Sequence, residues 1–134
     1  MQHVIALVDD DKVNLRLMEL WLRLAGYQTL RCAAQAAAYD VVRAAHPAAI
    51  ILDLMEGKRL VGWATLAQLQ GDPLTRAIPV IVCSAQTDLL RAQQAYLRRL
   101  GGDTLGKPFT AEEFVAKVGA VLGPTGGRAA AEAA

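Results

Sequence analysis

The chain has 134 residues, of which 54% are hydrophobic and 20% are charged, and its formal net charge is +1. This length and composition predict one packed domain, and the near-neutral charge argues against general binding to nucleic acid or to a membrane surface. The apolar runs are too short for a signal peptide or a membrane span. Cys32 and Cys83 lie in apolar runs, which is typical of reduced core residues, so the expected location is cytoplasmic.

Short β-rich runs alternate with longer helical runs along the chain, which is typical of a parallel sheet flanked by helices. Strands are predicted at residues 3–8, 28–32, 49–52, 80–83 and 103–105. Helices are predicted at residues 12–24, 35–45, 61–70, 88–100 and 110–122. The pattern indicates an α/β domain of five βα units over residues 1–123. The final residues, 124–134, offer no hydrophobic face and are predicted to form a flexible C-terminal tail.

The first predicted strand runs directly into three consecutive carboxylates, Asp9, Asp10 and Asp11. Neighbouring like charges repel, so the cluster needs full solvation, a cationic side chain or a metal ion. A solvated turn with a helix N-cap is one explanation, because Asp is common in both positions. A cation site is the other, and the rest of the chain bears on the choice.

Polar side chains also follow three later strands of the predicted sheet. Asp53 follows the third strand, Ser84 the fourth and Lys107 the fifth. Ligands of open parallel sheets bind beyond the carboxyl ends of the strands, so these groups are expected to converge at one edge. Carboxylate ligands of this kind suit Mg²⁺. In such a site an Asp can attack a phosphoryl group while Lys107 and Ser84 neutralise and hydrogen-bond the transferred oxygens.

The motifs VDDD, IILDLM, CSA and KPF stand in this order at the ends of strands one, three, four and five. With them, residues 3–122 resemble the receiver domain of two-component response regulators. The resemblance implies a flavodoxin-like, doubly wound sheet of strand order 2-1-3-4-5 with five helices. It also implies that Asp53 accepts a phosphoryl group from a sensor histidine kinase or a phosphotransfer protein. The expected output is a changed surface for a downstream effector protein, with slow self-dephosphorylation and no other enzyme activity.

The resemblance further implies roles for the acidic residues around a Mg²⁺ ion. Asp10 and Asp53 would be direct ligands, Asp9 would act mainly through water, and the backbone carbonyl of Met55 would be a further ligand. Asp11 lies outside this set, and an N-cap for the first helix is the better interpretation of it. The family pattern implies no direct nucleic-acid or membrane partner and a monomer or weak dimer.

Three further features of the resemblance concern the loops and the fifth strand. The Lys107–Pro108 peptide bond is expected to be cis and to direct the ammonium to Asp53. The stretch DLMEGKRLVGW lacks the usual Pro and second Asp and has one extra residue before Gly62, so the path of this loop is open. Thr104 stands where the family usually has an aromatic residue. Coupling from Ser84 to the surface must therefore pass through a smaller group or be weak.

The first helix has more apolar residues than one buried face requires. The face expected to cover the sheet is Asn14, Leu17, Met18, Trp21 and Ala25. Leu15, Leu20, Leu22 and Leu24 add apolar side chains around the helix. These are either ordinary exposed leucines or, for Leu15, part of a docking surface for the kinase or phosphotransfer helix.

Two other functions fit parts of the pattern. One is a pseudo-receiver, a protein-binding module that uses the fold without phosphorylation. The odd loop and the missing aromatic residue favour it, whereas the complete set of two Asp, one Ser and one Lys argues against it. The other is a haloacid-dehalogenase-type phosphatase with Asp9 as nucleophile and Asp11 as acid. That enzyme needs an acidic pair at a strand end after Lys107, whereas only Glu112 and Glu113, in the last predicted helix, follow it.

Overall fold

The computed structural model describes residues 3–133, and for side chains residues 3–123. The strands, in chain order, are β1 (Val4–Val8), β2 (Gln28–Cys32), β3 (Ala49–Asp53), β4 (Met55–Glu56), β5 (Arg59–Leu60), β6 (Val80–Ser84) and β7 (Asp103–Gly106). The helices are α1 (Lys12–Leu24), α2 (Gln35–Ala45), α3 (Gly62–Gln70), α4 (Thr87–Arg99) and α5 (Ala111–Ala133). Each predicted strand and helix is therefore present, with ends that differ from the prediction by a few residues except at the end of α5.

Five strands form a parallel sheet in the order β2-β1-β3-β6-β7. Without the short pair β4 and β5, this is the predicted order 2-1-3-4-5, so the doubly wound α/β fold is confirmed. The central strand β3 is buried along its whole length, which is why its sequence, AIILD, is a continuous apolar run up to the acidic residue. The sheet thus delivers the carboxyl ends of its strands to one edge.

Side chains of the central strand alternate between two cores on opposite faces of the sheet. Ile50 and Leu52 pack with apolar residues of α2, α3 and α4, whereas Ala49 and Ile51 pack with those of α1 and α5. Both faces are therefore covered, as a parallel sheet requires. Cys32 and Cys83 are buried free thiols, one in each core, which confirms the prediction made from their apolar surroundings.

The last helix bears on the predicted domain limit. Its backbone departs from helical geometry at Gly123, where φ is 76°. The side chains of residues 124–134 lie outside the described part of the chain, so the tail and the limit at residue 123 stay predictions. Within the part of the chain that the structure describes, no helix combines the length and apolarity needed to cross a bilayer.

The predicted face of α1 is partly wrong. Leu15, Met18 and Leu22 are buried against the sheet, whereas Leu17 is 41% exposed. Leu15 is only 1% exposed, so it belongs to the core and cannot belong to a docking surface. The helix has two overlapping apolar stripes, and the sequence pattern does not determine which of them turns toward the sheet.

The loop after Asp53, whose path was open, contains a small hairpin made by β4 and β5. The turn passes through Gly57, whose φ of 59° favours glycine. The carbonyl of Leu54 closes the loop by accepting hydrogen bonds from the N–H groups of Val61 and Gly62 at 3.0 and 2.8 Å. A Cβ at Gly62 would lie 2.6 Å from the Leu54 Cα, so only glycine allows this close approach.

The corrected face of α1 predicts unequal effects of two identical substitutions in one helix. Leu15→Ala should lower the free energy of unfolding by about 2–5 kcal/mol, because it leaves a cavity under the sheet. Leu24→Ala should change it by less than about 0.5 kcal/mol, since Leu24 is 79% exposed. Urea denaturation of both variants measures the difference, and similar losses would contradict the assigned face.

Candidate functional site

The register of the sheet brings four polar positions to its carboxyl edge. Val8 pairs with Leu52, so Asp9 and Asp53 follow neighbouring strands at the same level. The pairing of β3 with β6 places Asp53 beside Cys83, immediately before Ser84. Across the next pair, Ser84 lies opposite Gly106, and Lys107 follows directly. The convergence expected from the sequence is therefore present.

Asp53, the last residue of β3, is buried and both of its carboxylate oxygens are engaged. The Lys107 ammonium lies 2.6 Å from Oδ2, and the backbone N–H of Met55 donates to Oδ1 at 3.0 Å. The Lys107–Pro108 bond is cis, and the ammonium is within salt-bridge distance of Asp53, which confirms both predictions for this residue. The ammonium is thus fixed at the predicted nucleophile.

Asp9 is almost completely buried beside the same ammonium. Its Oδ2 lies 3.3 Å from the Lys107 Nζ, and its Oδ1 accepts the backbone N–H of Asp11 at 2.9 Å. Burial raises the pKa of Asp9, and the hydrogen bond from Asp11 and the charge of Lys107 offset only part of this effect. For Lys107, burial works to lower the pKa, but the hydrogen bond and charge of Asp53, together with the charge of Asp9, outweigh it and raise the pKa. One ammonium therefore serves two buried carboxylates.

Asp10 and Asp11 have different surroundings although they are adjacent. Asp10 is exposed, and its Oδ2 accepts the backbone N–H of Gly57, in the hairpin turn, at 2.8 Å. Asp11 is the N-cap of α1, and its side chain accepts the N–H groups of Val13 and Asn14. The N-cap prediction for Asp11 is confirmed, and the cation-site explanation then concerns Asp9 and Asp10.

Ser84 and Met55 lie beside the acidic residues. The buried Ser84 hydroxyl accepts the backbone N–H of Gln86 at 2.9 Å, and the Ser84 carbonyl accepts that of Lys107 at 2.9 Å. Met55 begins the hairpin and contacts the Asp53 carboxylate through its N–H. Its carbonyl as a metal ligand, and the Ser84 hydroxyl as a phosphoryl contact, stay predictions.

The acidic residues have the composition of a magnesium site. Asp9, Asp10 and Asp53 each offer a carboxylate oxygen, and these oxygens all lie within 4.8 Å of one another. Three carboxylates around one ammonium leave an excess of two negative charges, which a divalent cation would neutralise. An all-oxygen ligand set suits Mg²⁺ rather than a soft metal. These residues therefore fit the ion that the sequence pattern indicates.

Several contacts behind the site could not be predicted from the sequence. Gln35, at the start of α2, donates through Nε2 to the Asp53 carbonyl at 2.6 Å, and its N–H donates to Glu56 Oε2 at 2.7 Å. On the other side, the Gln94 amide donates to the Thr104 hydroxyl at 3.1 Å, where the family usually has an aromatic residue. For the hairpin that carries Glu56, Gly57 was a signal in the sequence, because Gly often marks a tight turn. Isolated Gln residues have no comparable signature.

Comparison with known proteins gives a consistent result. The family model described as response regulator receiver domain matches residues 5–119. The polar-differentiation response regulator DivK of Brucella ovis is 26% identical over 124 residues, a match that covers 89% of this chain and 95% of that protein.

Two solved structures have the same fold. The chemotaxis response regulator CheY4 of Vibrio cholerae aligns with a TM-score of 0.78 at 19% identity, over 90% of this chain and 99% of that one. The receiver domain of the sensor histidine kinase PA1611 of Pseudomonas aeruginosa aligns with a TM-score of 0.76 at 24% identity. That alignment covers 92% of this chain and 99% of the other, whose structure has a magnesium ion coordinated in the active site cleft.

The shared ammonium predicts a pH-dependent loss of stability in Lys107→Met without added Mg²⁺. At pH 7 the free energy of unfolding should fall by about 3 kcal/mol, because two buried carboxylates lose the one cationic partner that they have among the described residues. The folded pKa of Asp9 lies above its unfolded value, so protonation favours the folded state. Lys107 lowers the Asp9 pKa through its charge and its hydrogen bond, so this pKa should be raised further in the variant. The loss should therefore shrink as the pH falls and Asp9 becomes protonated in the variant.

Lys117→Met is the matched control, because Lys117 also pairs with an aspartate, Asp103, at 3.2 Å but lies away from the acidic edge. Its effect should be about 1 kcal/mol or less, since Asp103 keeps Arg98 as a second partner. Urea unfolding between pH 4 and pH 8 measures both variants. A loss in Lys107→Met that is constant over this range would show that the ammonium does not stabilise these carboxylates.

Proposed function

The chain belongs to the family of response regulator receiver domains, and from this membership we propose that Asp53 is its phosphoacceptor. A receiver domain is a signalling phosphoacceptor, so the phosphatase interpretation with Asp9 as nucleophile is set aside. The pocket of Asp9, Asp10 and Asp53 is the acidic phosphorylation pocket of the domain. The proposal is supported above all by one observation, the position of the buried Asp53 carboxylate 2.6 Å from the Lys107 ammonium.

The arrangement gives each residue a step in phosphoryl transfer. A carboxylate oxygen of Asp53 forms a bond to phosphorus while the bond from phosphorus to the leaving atom of the donor breaks. Lys107 is already beside Asp53, so its ammonium can follow the charge from the carboxylate to the new phosphoryl oxygens. The Ser84 hydroxyl, at the end of the adjacent strand β6, can exchange its contact with Gln86 for one to the phosphoryl group.

We further propose that Mg²⁺ is held by Asp10 and Asp53 directly, by Asp9 mainly through water, and by the carbonyl of Met55. The bound ion would neutralise charge on the phosphoryl oxygens. The PA1611 receiver structure, which has the same fold, has a magnesium ion coordinated in its active site cleft, and this supports the choice of Mg²⁺ as the ion. In this chain, Gly57 and Met55 already donate N–H groups to two of the carboxylates, which limits their rotation.

The proposed donor is a sensor histidine kinase or a phosphotransfer protein, and the proposed reader is a downstream effector protein. A cytoplasmic location and a monomer or weak dimer fit this role. Beside Lys107 lies an open cleft of about 450 Å³, and its mainly apolar lining is Asn14, Leu17, Met18, Trp21, Ala85, Lys107, Pro108 and Phe109. A donor helix seated there would be next to Asp53. Leu17 thus replaces Leu15 as the docking residue on α1.

Phosphorylation of Asp53 is tested by incubation with acetyl phosphate and Mg²⁺ followed by intact-mass spectrometry. The wild-type chain should gain a single phosphate, and Asp53→Asn should gain none because a neutral amide replaces the nucleophilic carboxylate. Asp11→Asn is the matched control, since Asn still caps α1 and Asp11 lies outside the proposed ligand set. It should be labelled as fast as the wild type.

Undiminished labelling of Asp53→Asn would place the phosphate elsewhere. Complete absence of labelling in the wild type, with both small-molecule and protein donors, would favour the pseudo-receiver alternative.

The docking proposal predicts that Leu17→Asp slows transfer from a protein donor by about tenfold, which corresponds to roughly 1.4 kcal/mol at the interface. Labelling by acetyl phosphate should be unchanged, because the acidic pocket is intact. Leu74→Asp is the control, since Leu74 is similarly exposed but follows α3, outside the α1 and α5 side of the molecule. Quenched time courses of phosphoryl transfer from the protein donor and from acetyl phosphate compare the two variants. If both variants slow transfer from the protein donor equally, docking at Leu17 is contradicted.

A further inference from the structure

Gln35, the first residue of α2, is a buried polar residue that neither the sequence motifs nor the proposed phosphotransfer step uses. Its side chain and its backbone contact two different points of one short segment. The Nε2 group donates to the Asp53 carbonyl at 2.6 Å, and the backbone N–H donates to Glu56 Oε2 at 2.7 Å. Gln35 therefore holds both ends of the segment 53–56.

Two of the proposed Mg²⁺ ligands, the Asp53 carboxylate and the Met55 carbonyl, belong to this segment. Between them, the Leu54 N–H donates to the Cys83 carbonyl at 3.0 Å. The peptide group that joins Asp53 to Leu54 is thus hydrogen-bonded at its carbonyl by Gln35 and at its N–H by β6. Rotation of this peptide group would turn the Asp53 side chain and the Met55 carbonyl relative to each other, and these two bonds oppose it.

The orientation of the Gln35 amide is itself determined by a second buried residue. The Thr65 hydroxyl, on α3, donates to Gln35 Oε1 at 2.6 Å. The Asp53 carbonyl can only accept, so Nε2 must face it, and Oε1 must face the hydroxyl. With these two bonds made, the Nε2 and Oε1 atoms of the buried amide each have a partner, whereas an apolar replacement would leave the Asp53 carbonyl without the Gln35 donor.

We propose that Gln35 is a positioning residue for the metal site, which sets the relative orientation of Asp53 and Met55 without touching the ion. The inference rests on the proposed function, because it requires that the acidic pocket binds Mg²⁺. Residues that orient metal ligands from the next layer typically contribute 10- to 100-fold to metal affinity. Gln35 contacts the backbone of one proposed ligand, Asp53, and the side chain of Glu56, which follows the other, Met55. Loss of the Gln35 side-chain contact is therefore expected to lower the Mg²⁺ affinity by a factor in that range.

The test is Mg²⁺ affinity, measured by isothermal titration calorimetry on the full chain. Gln35→Met, which keeps the length of the side chain but not its donor, should weaken Mg²⁺ binding by about 10- to 100-fold. Thr65→Val should weaken it by about threefold, because the amide keeps its donor but loses the group that orients it. Gln68→Met, the same substitution at an exposed position of α3, should bind like the wild type.

A second measurement separates positioning from a purely structural role. The rate of labelling by acetyl phosphate in Gln35→Met should approach that of the wild type at saturating Mg²⁺, with the half-saturating Mg²⁺ concentration raised by the same factor as the dissociation constant. A lower melting temperature with unchanged Mg²⁺ affinity would overturn the inference and leave the proposed function intact.

Absence of Mg²⁺ binding in the wild type would overturn both the inference and the proposed metal site. If Gln35→Met does not fold, Glu56→Ala provides the same test from the other end of the segment. This variant removes the acceptor of the Gln35 N–H in the partly exposed hairpin, and unchanged Mg²⁺ affinity in it would then overturn the inference.

Discussion

The charge of Lys107 shared between Asp9 and Asp53 is the interaction on which the rest of the site depends. Two buried carboxylates repel each other and lose hydration, and only a cation between them makes this edge of the sheet tolerable. The ammonium stabilises the pair without neutralising the whole acidic pocket, because Asp10 adds a third charge nearby. The remaining negative charge is what suits the site to a divalent cation, so the same groups connect stability with function.

Backbone N–H groups, in addition to the Lys107 ammonium, stabilise the three carboxylates of the pocket. Asp9, Asp10 and Asp53 each accept one backbone N–H, from Asp11, Gly57 and Met55 respectively. Two of these donors belong to the β4–β5 hairpin, which Glu56 in turn joins to α2 through Gln35. A short series of hydrogen bonds therefore connects the acidic pocket to α2. The unusual loop sequence after Asp53 provides this connection, because it forms the hairpin.

The opposite side of the pocket is connected differently. Ser84 leads through Gln86 into α4, and α4 is joined to β7 by the hydrogen bond between Gln94 and Thr104. Thr104 is buried, and its side chain is too small to rotate between a buried and an exposed position as an aromatic ring can. The side-chain link between β7 and α4 is therefore the small polar contact of Thr104 with Gln94. This agrees with the expectation from the sequence that any coupling there passes through something smaller.

The sequence by itself determined the alternation of strands and helices, the strand order implied by the family resemblance, and the edge at which Asp9, Asp53, Ser84 and Lys107 meet. These features are local, or follow from parallel pairing, because strand ends align wherever the register is set by a buried apolar face. Only the tertiary structure decided that Leu15 rather than Leu17 faces the sheet, since α1 has two apolar stripes and the sheet selects one. The contacts of Gln35 were also decided there, because they join residues far apart in the chain through single hydrogen bonds that no periodic pattern records. The hairpin is local, but its strands of two residues each are too short to produce a periodic pattern.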